Sequence, residues 1–128
     1  MKYLLDTHTL LWFLSGSESL SQTARLLIEN EANEIFVSIA SLWEITIKSS
    51  LGKLELATTL QDMFIDKLSD NDIQVLKIDL SHLICVHTLA FFHRDPFDRL
   101  IAAQSLVENI PLISKDLIMN DYGVQRIW

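Results

Sequence analysis

One cysteine, Cys85, stands in the whole sequence, so no disulfide can form within the chain. Its mostly apolar setting in "HLICVHTL" fits a buried, reduced thiol in a cytosolic protein. Three glycines and two prolines leave little material for long loops, and there is no repeat, linker or low-complexity tract. Cations are scarce too. Ten Lys and Arg stand against seventeen Asp and Glu, a formal net charge of -7, which excludes a broad basic surface for non-specific duplex binding. Nucleic acid stays open as a substrate, because a divalent ion held by a cluster of acids reverses the local field. A long apolar run is also missing. Asp6 and His8 interrupt "MKYLLDTHTLLWFL", which excludes a signal peptide or membrane span there and points to a cytoplasmic protein.

What the sequence does have is core: 49% of its 128 residues are hydrophobic, enough for one domain spanning residues 1–128. Short apolar runs at 2–5, 34–38, 74–78, 111–114 and 124–128 read as strands, and their blocky composition fits a parallel sheet covered on both faces. Helical patterns lie between them. "SQTARLLIENEA" starts at a capping Ser21, "SIASLWEITIKSSLG" closes near Gly52, and "TTLQDMFIDKLSD" and "LSHLICVHTLAFF" follow. A fifth pattern takes Asp95 as cap, Pro96 as its first residue, and Phe97, Leu100 and Ile101 as its inner face. This alternation predicts an α/β fold, an open parallel sheet of about five strands sandwiched between helices.

In such a sheet, ligands bind beyond the carboxyl ends of the strands. Asp6 ends the first strand, Asp116 follows the fourth, and Asp98 sits in the first turn of the last long helix on the same side. Glu44 lies between Trp43 and Ile45, where a core-facing helix rarely holds an unpartnered carboxylate; an exposed pair with Lys48 is the plainer alternative. Each aspartate could equally cap a helix or turn: Asp6 a helix beginning at Thr7, Asp95 and Asp98 the fifth helix, Asp116 a short turn. Together, four acids at one edge would repel one another unless a cation sat among them, and oxygen donors suit Mg²⁺ or Mn²⁺.

Other chemistries find less support. "HRD" at 93–95 lacks the Asn that a kinase catalytic loop places five residues after its Asp; Leu100 stands there. His8, His82, His87 and His93 make no zinc set and read as ordinary surface or core histidines. There is no G-x-S-x-G turn for a serine hydrolase. A phosphotransferase with Asp6 as carboxylate nucleophile would resemble the haloacid-dehalogenase family, which places a second Asp where this sequence has His8. Lys48, Lys115, Arg94 and Arg99 are candidates to guide phosphates but read first as solvated surface charges. Trp12, Phe13 and Trp43 are expected on or beside helices near the acid edge, as core or, where exposed, as anchors for a partner.

The blocks "YLLDTHTLLW", "SIASLWEITIKSSLGKL", "RDPFDRLIAAQS" and "LISKD" follow the order and approximate spacing of PIN-domain ribonucleases, and the chain resembles the VapC toxins of bacterial toxin–antitoxin pairs over essentially its whole length. That resemblance implies a PIN-like sheet between helices and a metal-dependent endoribonuclease site of acids, falling here on Asp6, Glu44, Asp98 and Asp116. It places Thr7 and Ser114 at supporting hydroxyl positions, and it selects Asp98 for the site, leaving Asp95 as the cap. It further implies Mg²⁺ or Mn²⁺ as cofactor, RNA as substrate, a small antitoxin that occludes the site, and a homodimer. The alternative within the fold is a catalytically inactive PIN-like binding module.

Overall fold

Side chains alternate along the first strand, β1 (Lys2–Leu5): Tyr3 and Leu5 enter one apolar cluster and Leu4 another, on opposite faces of the sheet. The computed structural model describes residues 1–128, and its remaining strands are β2 (Glu34–Ser38), β3 (Ile73–Leu76), β4 (Leu112–Ile113) and β5 (Arg126–Ile127). All pair in parallel, in the spatial order β3-β2-β1-β4-β5. The order therefore reverses beside β1: the chain runs outward to β2 and β3, then returns to place β4 on the other side. Such a switch point opens a crevice at the carboxyl ends of the strands.

Helices α1 (Thr7–Ser15), α2 (Gln22–Glu29), α3 (Ile39–Ser50), α4 (Leu68–Asp70), α5 (Leu80–Thr88) and α6 (Pro96–Glu108) complete the layers, with a π-helical segment Asp62–Lys67 leading into α4 and a 3₁₀ helix at Leu117–Tyr122. Leu5, Leu10, Val37, Ile45 and Ile113 anchor one core, and Leu4, Ala40, Ile101, Leu112 and Met119 the other. Caps follow the sequence closely: Ser21, Ser38 and Asp95 accept backbone N–H groups at the starts of α2, α3 and α6, and Pro96 opens α6. Gly16 closes α1 in the left-handed conformation that favours glycine, at φ 67°.

Three expectations change. Cys85 is half-buried on α5 rather than enclosed. The strands expected at 74–78, 111–114 and 124–128 shorten to Ile73–Leu76, Leu112–Ile113 and Arg126–Ile127. The helix expected over residues 80–92 ends at Thr88, because the Arg99 guanidinium takes the carbonyls of Val86, Leu89 and Ala90 at 3.1, 3.3 and 2.7 Å. These interactions satisfy the groups a longer helix would have paired internally. Arg99 is thus buried, with Phe91 stacked 4.2 Å from its guanidinium, and is neither a solvated charge nor a guide for phosphate.

Candidate metal centre

β1 and β4 pair through Leu5 and Ile113, so the residues that follow, Asp6 and Ser114, leave the sheet side by side. The Ser114 hydroxyl donates to Asp6 Oδ2, and Asp6 Oδ1 accepts the Thr9 N–H at 2.9 Å. Asp6 therefore both caps α1 and stays fixed at the switch point. Asp116 repeats this double role beside β4: Oδ1 accepts the Ile118 N–H at 3.0 Å to start the 3₁₀ helix, while its own N–H donates to Ser114 Oγ at 3.1 Å. Both aspartates are caps, and capping leaves each carboxylate lone pairs for a further partner.

Glu44 comes from α3 and is only 2% exposed. The Thr7 hydroxyl donates to its Oε1 and the Lys48 ammonium to its Oε2, both at 2.6 Å. The exposed Glu–Lys pair is thus corrected in one respect: the pair exists, but its carboxylate is buried beside α1. The hydrogen bond to Glu44 is the main reason the Lys48 pKa is raised, with the charges of Glu44, Asp95 and Asp98 adding to it. Lys48 is therefore a member of the acid cluster's surroundings and not a free surface charge.

Asp95 caps α6 by accepting the N–H groups of Phe97 and Asp98 at 2.8 and 3.4 Å. Asp98, one turn on, faces the other acids. Burial pushes its pKa from 3.8 up to about 7; Asp95 adds to the rise, as do Glu44 and Asp6, against a lowering by His93.

His93 is the residue that sequence reasoning missed. Its Nε2 lies 2.8 Å from Asp116 Oδ2 and 3.2 Å from Asp98 Oδ2. Nδ1 accepts the Asp95 N–H at 3.3 Å, so Nε2 carries the proton in the neutral ring and donates it to Asp116. The Tyr122 hydroxyl, which accepts the His93 N–H at 2.8 Å and lies 3.4 Å from Arg99 Nη1, ties this turn to α6. His82, by contrast, is a buried core residue bonded to Glu108 and to the Asp79 N–H. The one available signal was the position of His93 two residues before the α6 cap.

The structure therefore gathers all four acids around one sheet edge, in two tiers. His93, Asp98 and Asp116 present ligand atoms all within 4.8 Å of one another. Asp6 and Glu44 lie outside that tight group, yet close enough for their charges to raise the Asp98 pKa. A carboxyl that holds its proton to about 7 among other acids is what a hard cation would relieve, and the donor set is oxygen-rich as Mg²⁺ or Mn²⁺ requires. The aromatic side chains near this edge divide. Trp12 and Phe13 of α1 are half-buried against the core, while Trp43 of α3 is exposed and packs edge-on against Phe97.

The PIN domain family model matches residues 3–124. No curated protein matches the chain. Among solved structures, VapBC2 from Rickettsia felis, bound to a DNA fragment from its promoter, is similar at 17% identity and a TM-score of 0.68, covering 99% of this chain and 98% of that one. FitAcB from Neisseria gonorrhoeae gives 12% identity and a TM-score of 0.67, covering 98% and 96%. A toxin–antitoxin complex from Klebsiella pneumoniae gives 16% and 0.60, covering 89% and 86%.

Proposed function

The chain belongs to the PIN domain family, and from that premise we propose that it is a metal-dependent endoribonuclease serving as the toxin of a toxin–antitoxin pair. The observation that carries this reading is the gathering of Asp6, Glu44, Asp98 and Asp116 at the switch point of the sheet, with the Asp98 pKa at about 7. Asp98 and Asp116 would hold a Mg²⁺ or Mn²⁺ ion together with Asp6, and Glu44 would act directly or through water. When bound, such an ion lowers the pKa of water and offsets charge on a scissile phosphate.

The chain's own residues prepare that chemistry. Thr7 and Lys48 fix the Glu44 carboxylate by one bond to each oxygen. Ser114 bridges Asp6 and Asp116, donating to the first and accepting the N–H of the second. The His93 Nε2–H donates to Asp116 and lies 3.2 Å from an Asp98 oxygen, beside two acids from separate elements. The carboxylates of Glu44, Asp6 and Asp116 are thus held by hydrogen bonds on both oxygens, which would lower the cost of assembling a charged centre.

We read residues 1–128 as a single PIN domain working in the cytoplasm; no helix is long and apolar enough to cross a membrane. The similar structure from Klebsiella pneumoniae is a toxin–antitoxin complex, which favours a small antitoxin as partner, and a homodimer accords with the same reading. Incubation with structured and single-stranded RNA in Mn²⁺, Mg²⁺ or EDTA tests the function. Internal cuts that appear with metal and vanish with EDTA are expected. An intact RNA pool under every condition would favour the inactive binding module.

A further inference from the structure

Thr7 and Glu44 belong to the acid edge on one side, and on the other they line a cavity of about 410 Å³ between α1, α3 and the segment after α3. Its walls are apolar, formed in part by Trp12, Leu56 and Met63. Its rim carries Lys48, Lys53 and Lys67, three of the ten Lys and Arg in a chain of net charge -7. Lys48 is paired with Glu44, and Glu55 is the other acid on the rim. Lys53 and Lys67 are exposed, and neither enters any of the chain's ion pairs. Trp12 is half-buried, with Lys115 5.9 Å from its ring on the side of Asp116.

An apolar slot with an aromatic wall and unpaired cations at its mouth suits a flat base on a charged backbone; single-stranded nucleic acid is held by that combination of stacking and phosphate pairing. The slot shares Thr7 and Glu44 with the acid edge, so a strand cut at that edge would pass beside it. We propose that this cavity is a subsite for one nucleotide of single-stranded RNA adjoining the scissile phosphate, its base against Trp12 and its flanking phosphates toward Lys53 and Lys67. The proposal rests on the ribonuclease reading above. An amphipathic acidic protein segment is the competing occupant. The slot's shared residues with the acid edge favour the strand being cut.

The test separates binding from cleavage. Labelled single-stranded RNA is titrated in EDTA, by anisotropy, against wild type, Trp12→Leu and the double variant Lys53→Glu with Lys67→Glu, each first checked for native circular dichroism. The double variant is expected to bind at least tenfold more weakly, and the dependence of log affinity on log salt is expected to lose a slope of about 1.4, the value for two phosphate contacts on a single strand. Trp12→Leu is expected to weaken binding by about tenfold and to remove the quenching of tryptophan fluorescence by RNA; the double variant carries the test alone if Trp12→Leu does not fold. Wild-type cleavage in Mn²⁺ is scored separately. If RNA is cut but both variants bind it as wild type does, the subsite is overturned and the nuclease stands. If the variants lose an acidic amphipathic peptide but not RNA, the occupant is protein and the proposal is overturned. If wild type neither binds nor cuts any RNA, the nuclease reading fails and takes the subsite with it.

Discussion

Asp95 and Asp98 lie three positions apart on one helix start, and their environments give them different work. Asp95 spends its side chain on two backbone N–H groups, so Asp95→Ala is expected to cost about 1 kcal/mol of stability, a drop of a few degrees in Tm. Asp98→Asn is expected to lower metal-dependent cleavage by at least a hundredfold while leaving Tm equal or raised, because it removes a crowded acid. A reversal of those two outcomes would exchange their roles. The sign of the pH dependence follows from the same residue. Asp98 keeps its proton to about 7 in the fold but only to about 4 in the unfolded chain, so the folded state binds more protons between those values. Its contribution to stability is complete below pH about 4 and is lost as pH rises through about 7. With a side chain 24% exposed, the loss between pH 5 and 8 is on the order of 1–2 kcal/mol after screening. Thermal melts of metal-free protein across that range are expected to show the decline; a Tm that rises from pH 5 to 8 would contradict the burial of Asp98.

At the scale of elements, α6 organises its surroundings as well as carrying Asp98. Arg99 crosses to the end of α5 and gathers three carbonyls, and through Tyr122 it reaches the turn holding His93. Arg99→Ala would leave those carbonyls without their donor, and an expected cost of about 2–4 kcal/mol should appear in urea denaturation. Arg99→Lys is expected to recover little of it, since one ammonium cannot reproduce the planar fork. This arrangement also explains what sequence pattern missed. "LAFF" continues the apolar composition of α5, and nothing local shows that a side chain several residues later will claim its last carbonyls. The caps Ser21 and Asp95 were legible because a cap is a local event. Asp6 was legible because it directly follows an apolar strand, and Asp116 because it comes soon after one. His93 was not, since its meaning depends on meeting Asp116 across 23 residues of chain.

For the whole molecule, the order β3-β2-β1-β4-β5 goes with an edge at which Asp98 and Asp116 meet and Asp6 and Glu44 lie near them. Blocky apolar runs disclosed a parallel sheet, but the switch beside β1 depends on which strands pair, and only the structure supplies that. The proposed chemistry needs a divalent cation at this edge. Titration of metal-free protein with Mn²⁺, followed by calorimetry in two buffers of different ionisation enthalpy, addresses it directly. Near pH 6 the account expects saturable binding with release of about one proton, the one Asp98 gives up, and a loss of that affinity and of that proton in Asp98→Asn. Absence of binding in the wild type, or binding that Asp98→Asn leaves intact, would contradict it.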